Sequence, residues 1–319
     1  MTGVIGGERA ARTVAEVVSW VARTLLDRLP DESRDAATGL LTGAEATPLR
    51  RAEHDARELV AAVMHQPRFW PSVAAATRLD PMRITEIEQA VARRAQGAPL
   101  AYAVRSAPFR GLTLYVDERV LIPRPETEYL VERLLAMRGA EIGGIAVDVG
   151  TGSGAIALSL ASEGRFSRVI ATDVSRDALA VARENASRGA ASLRCPVEFR
   201  AGDALAPLGD MEHALELLVS NPPYIAFEEL PALPAGVRNW EPAMALACAD
   251  EGMAVTRTIV AHGGRLLRPG GILAFETDSR RAQRVARLVR DAGSYDAVEV
   301  LLDLTGRERY VIARRRWTN

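Results

Sequence analysis

The chain reads as an α/β protein: a seven-stranded, mostly parallel sheet covered by helices, preceded by a small helical domain and a β-hairpin. Three observations predict it. Beyond about Gly139 short apolar runs alternate with amphipathic stretches, the pattern of a parallel sheet with helices on both faces. From Thr13 to about Ala95 apolar residues recur at helical spacing instead. Between these regions Leu112-Thr-Leu-Tyr-Val116 alternates like a strand, and Val120-Leu121-Ile122 offers it a partner.

At 319 residues and 48% hydrophobic, the chain is long enough to bury a large core and to hold two domains. The changes of pattern set expected boundaries of 1–98 for the helical domain, 99–138 for the hairpin and the Pro-Arg-Pro-Glu-Thr segment, and 139–319 for the α/β domain. Net charge is −1, which gives no support for broad electrostatic binding of nucleic acid. All 40 Lys+Arg residues are Arg, so Schiff-base chemistry on lysine is excluded. Cys195 and Cys248 cannot build a disulfide framework or a Cys-rich metal site, and the four histidines show no ligand spacing; no metal is expected. The N-terminus lacks an apolar signal core and no run approaches membrane-spanning length, so a cytoplasmic protein without membrane association is expected.

The first helix opens at Thr13, which forms a capping box with Glu16. Val14, Val17, Val18, Val21, Leu25 and Leu29 then share one face, and Pro30 ends it. A second helix is expected over about Glu53–Met64, carrying Leu59, Val60 and Val63, after an exposed loop around Thr42–Pro48. The third starts at Asp80 as cap and Pro81 in the first turn, with Ile84, Ile87 and Val91 apolar. Gly97-Ala98-Pro99 closes the region.

Expected strands of the second domain are Ile145–Val149, Val169–Asp173, Val197–Arg200, Leu217–Ser220, Gly271–Glu276, Val298–Leu302 and Arg309–Ala313. Expected helices are Ala155–Ser162, Arg176–Ser187, Ala254–Leu267 and Arg280–Ala292. The first strand runs into Gly150-Thr151-Gly152-Ser153-Gly154 and then a helix. Glycines there let the backbone approach a ligand closely, and the helix N-terminus favours electron-rich groups. The Gly-x-Gly-x-Gly spacing is not the Gly-x-Gly-x-x-Gly of dinucleotide binders. Asp148 precedes the loop, Asp173 ends the next strand and Asp203 follows the third. An acid at Asp173 can accept both hydroxyls of a ribose, and Asp203 is placed to meet an adenine amine. Singly, Asp173 could equally cap the helix near Arg176 and Asp203 could merely end a strand. Three acids ending successive strands favour one shared ligand.

Asn221-Pro222-Pro223-Tyr224 follows the buried run Leu217-Leu-Val-Ser220. Two prolines fix φ, remove two N–H donors and hold the preceding residue extended. The Asn side chain and the Asn and Pro carbonyls are left as rigid acceptors beside an aromatic ring, suited to a planar group bearing N–H donors.

Together these motifs resemble the class I S-adenosylmethionine-dependent methyltransferases, over roughly Gly139 to the C-terminus. Within that superfamily Asn-Pro-Pro-Tyr is shared by enzymes that methylate planar nitrogens, in DNA bases or glutamine side chains. Leu121-Ile-Pro-Arg-Pro-Glu-Thr-Glu128 is similar to the signature of the HemK/PrmC family of release factor glutamine methyltransferases. Leu100-Ala-Tyr102 with Phe109 and Gly111, and Trp240-Glu-Pro242 with Leu246 and Gly252, resemble that family too. As structure alone, Pro123–Glu128 is a proline turn into a capped helix. Arg105 stands where the family usually has glycine. Ala204 stands where a bulky aromatic often flanks the adenine, which implies a looser adenine pocket.

The resemblance implies methyl transfer from S-adenosylmethionine to the glutamine N5 of the Gly-Gly-Gln motif in class I peptide chain release factors, docked by the helical N-terminal domain. It implies a cofactor site of Gly150, Thr151, Gly152, Ser153, Gly154, Asp173, Asp203, Ala204 and Asn221. Asn221, Pro222 and Tyr224 would be catalytic, and Pro223 and Phe109 would complete the substrate pocket. No stable binding of nucleic acid is implied. The rivals are a ribosomal protein glutamine as acceptor, which Pro125–Glu128 disfavours, and an adenine-N6 nucleic-acid methyltransferase, which would need a basic, aromatic target-recognition region. A non-catalytic binding module that retains the fold is a third, against which the intact glycine loop, Asp173 and Asn-Pro-Pro-Tyr all stand.

Overall fold

The computed structural model describes residues 12–29, 47–138 and 142–317. The expected helix stop at Pro30, most of the loop Thr42–Pro48 and the domain start at Gly139 lie outside the described residues. Contacts divide the chain into two units. One ends at Ser106 and takes in Leu233–Trp240; the other comprises Ala107–Ala232 and the chain from Glu241 onward.

The first unit is helical. Thr13 Oγ1 accepts from the Glu16 N–H at 3.3 Å and Glu16 Oε2 accepts from the Thr13 N–H at 2.7 Å, so the expected capping box opens the helix Val14–Arg28. The next helix, Pro48–Val63, starts earlier than the expected Glu53, because Thr47 caps it and Pro48 pre-sets its first turn. Its polar opening turns (Arg50, Arg51, Glu53, His54) hide the apolar period there. Asp80 caps the helix Pro81–Ala95 by accepting from the Arg83 N–H at 2.9 Å. Val17, Val21 and Leu25 meet Leu59, Val60, Ile87 and Val91 in one core. Inside it Arg94 and Asp55, each 2% exposed, pair at 2.7 Å, and Arg94 also donates to the Ala98 carbonyl.

In the second unit the hairpin differs from expectation. Leu112–Leu114 (β2) pairs antiparallel with Ala107–Phe109 (β1), and Val120–Ile122 forms no strand. Arg110 turns the hairpin at φ +51 and is anchored by a two-pronged pair to Glu163, at 2.6 Å on each arm, and by the Glu128 carbonyl. Before the hairpin, Arg105 adopts φ +54, the left-handed conformation that favours glycine. That is the conformational reason glycine would suit this position.

The main sheet consists of Ile145–Val149 (β3), Arg168–Asp173 (β4), Val197–Ala201 (β5), Leu215–Ser220 (β6), Leu267–Glu276 (β7), Tyr295–Leu302 (β8) and Glu308–Arg315 (β9), in spatial order β5-β4-β3-β6-β7-β9-β8. Pairings from β5 to β7 are parallel, while β9 runs antiparallel to both β7 and β8. This is the seven-stranded, mostly parallel sheet expected of a class I methyltransferase. The central strands are near-continuous apolar runs because helices cover both faces. Helices Ala155–Glu163, Arg176–Arg188, Ala254–Leu266 and Ala282–Asp291 lie within a residue or two of their expected bounds. Strand order reverses beside β3: β4 flanks it on one side and β6 on the other. Open α/β sheets bind ligands at the carboxyl ends of strands on either side of such a switch.

Candidate functional site

A cavity of about 450 Å³ opens at that switch, over the carboxyl ends of β3, β4 and β6. Gly150, Gly152, Asp173, Asp203 and Ala204 line one side of it, and Asn221, Pro222 and Pro223 another. The structure therefore brings together two motifs separated by some seventy residues in sequence, because β3 and β6 are hydrogen-bonded neighbours. Ser220 Oγ donates to the Val149 carbonyl at 2.7 Å and ties their last residues together.

The glycine loop is held from beneath. Gly150, Gly152 and Gly154 all have positive φ, and the N–H groups of Gly150 and Thr151 both donate to the Thr172 carbonyl at 2.9 Å. Asp173 Oδ2 accepts from the Gly152 N–H at 2.9 Å and Oδ1 from the Ser175 N–H at 2.8 Å. The helix after it is capped by Ser175, whose hydroxyl accepts from the Ala178 N–H. Asp173 is thus fixed by the loop rather than used as that cap. Burial raises its pKa, against the pull of the backbone donors. Asp148 is fully buried, accepts from Thr151 Oγ1 at 2.7 Å and from the Ala157 N–H at 3.2 Å, and keeps Oδ1 without a partner. Burial pushes its pKa up to about 7. Buried Asn185 completes the support: its amide holds both the N–H and the carbonyl of Tyr115 and donates to the Ser153 carbonyl at 2.9 Å.

The proline corner is held just as firmly. Asn221 Nδ2 donates to Thr127 Oγ1 at 3.3 Å. Among the described residues no hydrogen bond occupies Asn221 Oδ1 or the Pro222 carbonyl, whereas the Pro223 carbonyl accepts from the Cys248 thiol at 3.1 Å. Tyr224 lies behind the corner, where burial and the neighbouring Glu276 push its phenol up to about 12, so it stays neutral. The lining also includes Leu121, Pro242 and Met244. Glu241 pins it, accepting from the Ile122 N–H at 3.3 Å and from the Arg124 guanidinium.

Several expected site residues lie off the cavity surface. Thr151 and Ser153 are buried and serve the loop's internal bonds, and Gly154 forms the helix N-cap. Tyr224 is absent from the cavity lining, and Phe109 is wholly buried in β1, closed off from any ligand in this conformation. Asn185 and Cys248 support the site yet carry no local sequence signal. Among the described residues no group of His, Cys, Asp and Glu could hold a metal ion, and no helix is long and apolar enough to cross a membrane.

The lining fits a nucleoside. Asp173 retains lone pairs for ribose hydroxyls, Asp203 faces the same cavity, and Ala204 with Val174 and Ala178 offers an apolar seat for a planar base. The volume is within the range usual for cofactor pockets.

A family model described as the methyltransferase small domain matches residues 125–231, and one described as the PrmC N-terminal domain matches residues 32–104. The chain is similar to the release factor glutamine methyltransferase of Moorella thermoacetica, 45% identical over 228 residues, which are 72% of this chain and 79% of that one. The protein of the same name from Cereibacter sphaeroides is 38% identical over 280 residues, 88% of this chain and 97% of that one. That from Deinococcus radiodurans is 37% identical over 281 residues, covering 86% and 97%.

Proposed function

The chain belongs to the release factor glutamine methyltransferase family, and from that premise we propose that it methylates the side-chain amide nitrogen of the glutamine in the Gly-Gly-Gln motif of class I peptide chain release factors. The observation that carries this reading is the pair of unoccupied acceptors, Asn221 Oδ1 and the Pro222 carbonyl, in one cavity with Asp173 and the glycine loop.

S-adenosylmethionine, when bound, supplies an electrophilic methyl group on a sulfonium. Asp173, Asp203 and the loop glycines would hold its nucleoside, with Thr151, Ser153 and Gly154 maintaining the loop. An amide nitrogen is a weak nucleophile because its lone pair is delocalised into the carbonyl. Asn221 Oδ1 and the Pro222 carbonyl would accept the two N–H groups of the glutamine side chain and hold its nitrogen facing the cofactor's part of the cavity. Most of the acceleration then comes from orientation. As positive charge develops on nitrogen, the same oxygens stabilise it, having been positioned before the reaction begins. No side-chain base is needed at the transition state, since the methylated amide loses its extra proton readily afterwards. Pro223 and Tyr224 keep the corner rigid, and Phe109 supports the hairpin from within the core rather than touching the substrate.

The test uses labelled cofactor with purified release factor, ribosomal large subunit and adenine-containing DNA as acceptors. Label should enter the release factor alone. Asn221→Ala should abolish transfer while cofactor affinity, measured by calorimetry, is largely kept. Asp173→Ala should instead weaken cofactor binding by about 10- to 100-fold, the worth of one charge-assisted hydrogen bond. Normal turnover in the Asn221 variant would sink the proposal.

A further inference from the structure

Among the described residues Arg119 is the one basic side chain that borders the cavity; Asp173 and Asp203 are the other charged groups on its lining. Arg119 Nε donates to Asp117 Oδ1 at 2.8 Å and Nη2 donates to Oδ2 at 2.6 Å, a two-pronged grip along one side of the guanidinium. Asp117 is buried and is fixed in turn, accepting from the Tyr115 hydroxyl at 2.9 Å and from the Arg119 N–H at 3.1 Å. Tyr115 is tied through the Asn185 amide to the Ser153 carbonyl of the glycine loop. A chain of side-chain contacts thus runs from the loop to the guanidinium and sets where it stands.

A guanidinium carries five N–H donors in a planar fork. Asp117 occupies the Nε side, and among the described residues no hydrogen bond is made by Nη1. The Arg119 side chain is 39% exposed, so its remaining donors are open to a ligand. An ordinary surface ion pair joins two mobile side chains and contributes little. Here the carboxylate is buried and shared with a tyrosine, and it holds the arginine in one orientation at the edge of the cavity.

We propose that Arg119 binds the α-carboxylate of the cofactor's amino-acid arm through its Nη1 end, with Asp117 as the positioning residue that aims it. The inference rests on the reading of this cavity as the S-adenosylmethionine site. That cofactor has one anionic group, and the lining offers one cation to meet it. Its sulfonium and ammonium are repelled by a guanidinium, so the charge pattern gives the bound molecule one direction, with the ribose at Asp173 and the carboxylate at Arg119. Hydrogen bonds between ionised partners are roughly twice as strong as neutral ones, and the planar fork adds orientation. The sulfur lies between ribose and carboxylate in the cofactor, so anchors at both limit how the methyl group can turn.

The test is calorimetric and uses the full chain with S-adenosylhomocysteine and its decarboxylated analogue, which differ by the carboxylate alone. Wild type should bind S-adenosylhomocysteine about tenfold or more tightly than the analogue. Arg119→Met should weaken S-adenosylhomocysteine about tenfold and keep the analogue within about twofold of wild type, which erases the preference. Equal affinity of the wild type for both ligands overturns the inference without any variant. So does an Arg119→Met protein that retains the wild-type preference. A wild type that binds neither ligand overturns instead the cofactor reading beneath it.

Discussion

The Arg124 guanidinium meets Glu241 Oε1 at 2.6 Å, joining residues 117 apart in sequence, and Glu241 adjoins Pro242 of the cavity lining. Both sit in segments whose sequence matches the family's pattern, and the contact gives the physical reason the two belong together. Glu241 is nearly inaccessible, and burial raises its pKa despite the opposing Arg124. With Arg124 gone, a buried carboxylate would keep only the Ile122 N–H. Arg124 is one-third exposed, so the loss falls between the values for surface and buried pairs, about 2 kcal/mol. Arg124→Ala should lower the unfolding free energy measured by urea titration by that amount and weaken acceptor binding, since Leu121 and Pro242 form the wall that the pair braces. A double-mutant cycle with Glu241→Gln should return a coupling of about 1 kcal/mol or more. A cycle that closes to zero would remove the pair from the account.

Gly252 backs the proline corner. A Cβ built there would lie 2.1 Å from the Tyr224 carbonyl oxygen, and its φ is +80. Asp250 and Glu251 before it are also left-handed, at φ +57 and +53. Non-glycine residues resist that conformation, so the turn depends on outside support. Arg281 supplies it, donating Nε to the Glu251 carbonyl at 2.9 Å while pairing with Asp278 and Glu229. Gly252→Ala should cost about 3 kcal/mol or more and displace Tyr224, ending methyl transfer. Unchanged unfolding and turnover in that variant would show that the corner yields where the geometry says it cannot.

Asp148 should make stability depend on pH with an unusual sign. Burial raises its pKa to about 7, with the nearby Asp173 charge adding to the shift and Thr151 and Ala157 opposing it. A group raised on folding favours the folded state most when protonated, so this contribution is lost as pH climbs from the ordinary aspartate range to about 7. Asn at this position keeps an oxygen for Thr151 and Ala157 without the charge. Asp148→Asn should therefore match wild type at about pH 4 and be more stable at about pH 8, by on the order of a few kcal/mol. Thermal melts across that range decide it. A difference that does not grow with pH would mean that the carboxylate is stabilised by something other than these contacts.

Sequence alone determined the layout wherever a signal was local. Period-two and period-3.6 patterns located the seven strands of the main sheet, and the capping residues Thr13 and Asp80 located two helix starts. The glycine loop, Asp173 and the Asn-Pro-Pro corner were legible because backbone conformation and short-range donors are written in adjacent residues. Local signals failed at Val120–Ile122, an apolar run that lines the cavity through Val120 and Leu121 instead of pairing, and at Phe109, whose aromatic character gave no hint of full burial. They failed again at the opening of Pro48–Val63, where the amphipathic period is masked by polar turns.

Only the tertiary structure decided which residues support the chemistry. Asn221 and Thr127 stand 94 positions apart, and Asn185 reaches Tyr115 across 70. No periodicity encodes such partners, because a side-chain hydrogen bond across the fold depends on how whole strands and helices stack. The strand order places β3 beside β6 and β6 beside β7, and with them the glycine loop, Asn221 and Glu276 in one neighbourhood. The residue types were visible from the start; their juxtaposition comes from burying the sheet's two faces.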